Sequence, residues 1–165
     1  MVEGVLISLH RQIPVCKGYD MYKELIEKLT AGNRWASVQA PCSEEDIRKA
    51  EEYVGFSFPA ELKALLRETD GDGWFLLSAE RIIEHAKTNR EIYPEYLDPD
   101  EFEEKVNRFI YFATNGCGDY YCYRILENGE TDGSAIYIWE HELFEAHEVA
   151  KDIFDLITKY YSDQV

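Results

Sequence analysis

The sequence predicts an α+β fold with a central, mainly antiparallel sheet flanked by helices. Three observations predict it. Through residues 20–69 the apolar residues recur at helical spacing. From Trp74 onward they gather into short aromatic and β-branched runs separated by glycine turns. One amphipathic stripe then closes the chain. Strands and helices do not alternate as βαβ units, so a parallel sheet is not expected. The chain has 165 residues, 45% of them hydrophobic and 14% aromatic, enough for one packed core. The expected division is an N-terminal appendage or added strand at 1–18 and a single domain at 19–165.

The elements follow in order. Residues 1–18 show weak alternation at Val5, Ile7 and Leu9 before Pro14 and Gly18, which fits either a strand or a loosely attached tail. A first helix is predicted over 20–31, with Asp20 as N-cap, Tyr22, Leu25, Ile26 and Leu29 as its stripe, and Gly32 as its stop. A polar connection carrying Trp35 and Pro41 leads to a second helix. Ser43 caps it, Glu44, Glu45 and Asp46 suit its positive end, Ile47, Ala50 and Val54 face the core, and Gly55 closes it. Pro59 sits at the first turn of a third helix, whose face is Leu62, Leu65 and Leu66. The run Asp70-Gly71-Asp72-Gly73 is a turn. Residues 74–77 read as a short buried strand and 79–88 as a helix. Residues 89–107, acidic and carrying Pro94 and Pro99, read as a surface excursion. Strands are expected at 109–113, 119–125 and 135–139, with a turn at 115–118. The last helix is expected over 148–161, packing through Val149, Ile153, Leu156, Ile157 and Tyr160.

Charge narrows the function. Asp and Glu number 33 against 17 Lys and Arg, a formal net charge of -16. Such a surface repels nucleic acid and anionic lipid and speeds the approach of a basic protein. Acidity also serves solubility alone, so the charge by itself leaves both readings open. The cysteines Cys16, Cys42, Cys117 and Cys122 form no disulfide framework, and the stretch from Val5 to Leu9 is too short for a secretory leader. The expectation is a cytoplasmic protein with reduced thiols.

The search for catalytic and metal-binding patterns leads away from an enzyme. His141 and Glu142 begin a zinc-protease pattern, but Glu145 stands where its second histidine belongs. Cys117 and Cys122 lack the second pair of a zinc site, and Cys122 fits a core position. The 70–73 run lacks the later ligands of a calcium loop. Gly116-Cys117-Gly118-Asp119 lacks the Lys of a phosphate loop. Cys117 with His141 is a conceivable dyad that nothing in the sequence brings together. No cofactor is expected, and a hydrolase using carboxylates or Cys117 is the remaining enzymatic alternative.

Three ordered segments carry a resemblance. Residues 41–47 (PCSEEDI) and 51–62 (EEYVGFSFPAEL) form a capped acidic helix, a glycine, an apolar residue, then Pro and a Leu-rich helix. Residues 112–113 followed by Gly116-Cys117-Gly118-Asp119-Tyr120-Tyr121 set a Gly-Asp step before an aromatic strand. Residues 136–141 (IYIWEH) end a strand at a tryptophan and an acidic-histidine step. Together they resemble the SUKH superfamily over roughly 41–160. The resemblance implies a SUKH-like α+β domain without catalytic residues. It further implies a non-catalytic immunity protein that binds and neutralises a polymorphic toxin, often a nuclease or deaminase. The alternative is an intracellular protein-interaction module like the family's cell-wall synthesis regulators. A nuclease toxin is basic, which would match the acidic chain. The expected partner is thus a basic toxin domain, with neither nucleic acid nor membrane. The expected partner-binding residues are Asp72, Trp74, Asp119, Trp139 and Glu140. Each tryptophan could instead be structural, Trp139 as core filler, and Asp119 could serve only to cap the turn after Gly118.

Overall fold

The computed structural model describes residues 20–165, so the appendage or strand expected at 1–18 lies outside the described residues. The first three helices fall where their caps place them: α1 (Met21–Leu29), α2 (Glu44–Val54) and α3 (Ala60–Glu68). At α2 the Ser43 hydroxyl accepts the Asp46 amide at 3.1 Å, and Gly55 closes the helix in the left-handed region. At α1 the expected cap is replaced. Asp20 makes no side-chain bond there, and the Glu68 carboxylate from the end of α3 accepts the amides of Tyr22 and Lys23 at 2.6 and 2.9 Å. The orphan donors of one helix are thus satisfied by its neighbour.

Helix α4 (Ala79–Ile92) is longer than expected. It runs on through a 3-10 turn (Tyr93–Glu95), the short α5 (Pro99–Phe102) and a π-helical turn (Glu103–Asn107). The sheet is an antiparallel meander in the order β1 (Phe109–Thr114), β2 (Tyr120–Arg124), β3 (Ile136–Glu140) and β4 (Glu145–Ala150), and α6 (Ile153–Tyr161) closes the chain.

Period-two alternation divides the sheet into two buried faces. Ile110, Phe112, Tyr121, Tyr123 and Ile136 join the main core with Ile26, Ile47, Leu62, Leu66 and Leu156 from the helices. There the Tyr123 hydroxyl donates to the Glu61 carboxylate of α3. Phe109, Tyr111, Cys122 and Trp139 point to the other side and pack with Val106, Tyr93, Leu97 and Phe102. The segment 89–107 is therefore a cover for the second face of the sheet, which corrects its reading as a surface excursion. Its backbone carbonyls take the polar tips of the aromatics beneath: Tyr111 Oη donates to Val106 O and Trp139 Nε1 to Lys105 O, each at 2.7 Å. Pro94 and Pro99 open helical turns there rather than breaking them.

Two other expectations change. Residues 74–77 form no strand: Leu76 makes a single bridge to Ala113, and although Phe75, Leu76 and Leu77 are buried, Trp74 is half exposed. Residues 145–150, expected to lead into or begin the last helix, are strand β4. Val149 is their one β-branched or aromatic residue, one side of this outer strand faces solvent, and the ladder against β3 decides their conformation.

Helix α4 also sets His85 against the sheet, stacked on Tyr120 at 3.6 Å and edge-on to Tyr111 at 4.8 Å. Burial, helped by the charge of Arg81, pushes the His85 pKa from 6.5 down to about 4. The unfolded chain therefore binds a proton that the folded chain refuses between these two values. Stability contributed by neutral His85 is present above pH 6.5 and declines as pH falls toward 4. Urea unfolding across that window should show wild type losing more stability on acidification than His85→Gln. Equal losses would contradict the placement.

Candidate partner-binding face

The turn after α3 is built around a buried carboxylate. Asp72 is 0% exposed, and its Oδ1 accepts the amides of Trp74, Phe75 and Leu76 at 3.0, 2.7 and 2.8 Å. Its Oδ2 accepts the hydroxyl of Tyr161 at the end of α6, and burial together with this carboxylate raises the Tyr161 pKa. Asp70 serves the same turn, its Oδ1 accepting the Ala79 amide at 2.7 Å at the start of α4. Gly71 has φ +79°, and a Cβ there would lie 2.7 Å from the Leu76 carbonyl oxygen, so the tight return requires glycine.

This turn fixes the direction of the next two rings. Phe75 goes inward and stacks on Tyr160, with ring centroids 3.8 Å apart. Trp74 goes outward and is 49% exposed. A second loop lies alongside: Trp35 N donates to Asn33 Oδ1 at 2.7 Å, Ala36 is buried, and Ser37 N donates to the Asp72 carbonyl at 2.9 Å. Trp35, 67% exposed, then stands beside Trp74 with centroids 6.0 Å apart and planes tilted by 35°.

The β1–β2 turn completes this end of the sheet. Asn115 Oδ1 accepts the amides of Cys117 and Asp119, at 2.9 and 3.3 Å, and Asn115 Nδ2 donates to Asp119 Oδ2 at 3.1 Å. Asp119 Oδ1 accepts both the amide and Nδ1 of His141, at 3.2 and 2.7 Å, which clamps the β1–β2 turn to the β3–β4 turn. The imidazole lies so close over Gly118 that a Cβ would sit 2.8 Å from it. Burial pushes the Asp119 pKa up, but the bonds from His141 and Asn115 outweigh this and hold it below the ordinary value. Glu140 is partly exposed beside them, with His147 Nε2 at 3.9 Å.

The five predicted site residues therefore separate. Trp74, Asp119 and Glu140 reach the surface at one end of the sheet, where β1 ends against Phe75, β2 begins and β3 ends. Asp72 and Trp139 are both 0% exposed, so neither offers a side chain to a partner. The carboxylate organises the turn, and the indole fastens the 93–107 cover, edge-on to Tyr93 and Tyr111 at 5.6 and 5.5 Å. Asp119 also carries the turn role weighed for it. Sequence reasoning passed over Trp35, whose signal is a lone tryptophan in a polar run, and it tested His141 only as a ligand or base. The arrangement offers two exposed indoles on a pinned frame with carboxylates nearby, which suits recognition of a surface. Cys122 is fully buried, and its burial raises its pKa well above the ordinary value. Among the described residues no group of His, Cys, Asp and Glu is arranged to hold a metal ion. Nor is any described helix long and apolar enough to cross a membrane.

Removing the carboxylate and removing the exposed ring should have different consequences. Asp72→Ala leaves the amides of Trp74, Phe75 and Leu76, the last two buried, without an acceptor and should cost about 2–5 kcal/mol. Trp74→Ala should cost less than about 1 kcal/mol. Thermal denaturation compares them, and equal losses would place Trp74 in the core rather than on a binding face.

No curated protein matches the chain. The model of the SMI1 / KNR4 family (SUKH-1) matches residues 41–159, which run from the connection before α2 into α6 and include the 70–76 turn and the Asp119–His141 clamp. Ordered motifs, an α+β architecture and a match over most of the chain agree, and the chain belongs to the SMI1/KNR4 (SUKH-1) family.

Proposed function

We propose that the protein is a non-catalytic immunity protein that acts in the cytoplasm by binding a basic toxin domain and covering its working surface. Membership in the family supports an immunity-protein-like or regulator-like domain. The reading that the protein works by binding a partner rests on one observation, the exposed Trp35–Trp74 pair held on stitched loops. Exposed tryptophans carry a large apolar surface that a soluble domain seldom displays without a partner, and Trp is enriched among residues that dominate binding energies. Holding the pair in place before encounter reduces the ordering entropy of association.

Charge supplies the second part of the argument. A formal net charge of -16 draws in a basic surface and disfavours nucleic acid and anionic membranes as partners. A toxin that acts on nucleic acid carries such a basic surface because it must hold a phosphate backbone. An acidic protein seated there excludes the substrate without chemistry of its own. Nuclease and deaminase domains are both of this kind.

The experiment is affinity capture. Wild type and a Trp35→Ala/Trp74→Ala variant are immobilised, lysate of the source strain is passed over each, and bound proteins are eluted by a salt gradient and identified. A basic toxin-like domain should stay on the wild-type column and elute as salt rises. It should bind the double variant at least about 30-fold more weakly, the loss expected of a hot-spot residue worth about 2 kcal/mol. Retention insensitive to salt would remove the electrostatic part. Recovery of acidic housekeeping proteins alone, or of nothing, would favour a regulatory interaction module instead.

A further inference from the structure

We propose that the Trp35–Trp74 pair is a receptor for an arginine side chain presented by the partner. The inference rests on the reading that the partner is basic, and it adds the contact chemistry. A cation over an indole face is attracted by the ring's quadrupole within about 6 Å of its centroid, and Trp is the strongest of the aromatic acceptors. Trp35 and Trp74 are 67% and 49% exposed, so open ring surface is available to an incoming side chain.

Among the described residues, no cation is seated on either indole. Among the described residues, the cation seated on an aromatic ring is Arg90, 5.1 Å over Tyr53 on a different part of the molecule. Arg67 is engaged with Glu44, Lys63 with Glu51 and Lys105 with Glu101. The chain's acidic surplus raises the local concentration of any external cation. The buried Asp72 carboxylate accepts the Trp74 backbone amide at 3.0 Å, so the turn that presents Trp74 also holds a buried acid.

Arginine fits better than lysine for two reasons. Its planar guanidinium stacks on an indole, and it sheds water more readily than an ammonium group. The tilt of 35° at a centroid separation of 6.0 Å is too close for a guanidinium sandwiched between the rings. The cation therefore rests on the outer face of one indole while its methylene stem packs against the other.

The test needs no toxin. In nitrogen-15-labelled full-length protein the three tryptophans give three indole N–H signals. The probes are acetyl-Gly-Arg-Gly-Arg-Gly-amide, its Lys counterpart and its citrulline counterpart, titrated at about 0.15 M salt. The Arg peptide should move the Trp35 and Trp74 indole signals several-fold more than the Lys peptide. The citrulline peptide should leave them in place, and the buried Trp139 signal should stay still throughout. Trp74→Leu should remove the response of Trp35. Equal shifts with Arg and citrulline, or Arg-dependent shifts elsewhere that spare both indoles, would overturn the proposal. A captured basic partner together with unmoved indoles would sink this contact alone, whereas moved indoles with no captured partner would leave the contact standing and the toxin reading unsupported.

Discussion

The carboxylate of Asp72 is the constraint on which the binding end of the molecule depends. A charged group buried without partners is too costly to retain, so its surroundings must converge on it. Three successive amides and the Tyr161 hydroxyl do so. That convergence forces the chain to reverse between Gly71 and Leu76, and the reversal assigns the next two rings to opposite sides. Phe75 enters the core against Tyr160, and Trp74 is left outside. The Asp72 carbonyl meanwhile holds Ser37, which brings in the loop of Trp35. One buried acid therefore couples α3, α6 and the 33–39 loop, and places an exposed aromatic pair at their junction.

The sheet beneath is guarded along the free side of β1, on its second face and, by charged side chains, at its outer strand β4. The free side of β1 is met by residues 75–77, with Leu77 N donating to Phe112 O and Thr114 N to Phe75 O, both at 2.9 Å. The outer strand β4 is short and carries Glu145, His147 and Glu148, and Lys159 Nζ donates to the Val149 carbonyl at 2.9 Å. Charged side chains on an outer strand discourage edge-to-edge pairing. The second face is covered by the 93–107 segment, fastened through Tyr111 and Trp139 to carbonyls at the π-helical turn. The end carrying Trp74, Asp119 and Glu140 meets solvent through pinned turns.

How much of this the sequence discloses depends on the range of the interaction concerned. Helices α1 to α3 are legible because caps and stripes are local: Ser43 and Asp46 are three residues apart, and Gly55 ends what they start. The meander is legible because its runs are aromatic and its turns glycine-rich. Strand β4 is not, because Glu145–Ala150 has little strand character and takes its conformation from β3. Segment 89–107 misleads because acidity and prolines suggest solvent, while its apolar residues Leu97, Phe102 and Val106 find their partners on a sheet formed later in the chain. The candidate site is half legible for the same reason. An aspartate in an Asp-Gly run looks exposed until Tyr161, 89 residues away, is known to cover it. Trp74 and Trp139 are indistinguishable by residue type, and only packing sends one outward and the other inward.

The central claim is that a buried carboxylate holds an exposed indole rigid in advance of binding. Nitrogen-15 relaxation of the indole N–H groups measures that rigidity directly, in wild type and in Asp72→Asn. The account predicts a wild-type order parameter for Trp74 near that of rigid backbone, about 0.85, falling clearly in the variant while Trp139 is unchanged. A Trp74 indole already as mobile in wild type as in the variant would contradict it.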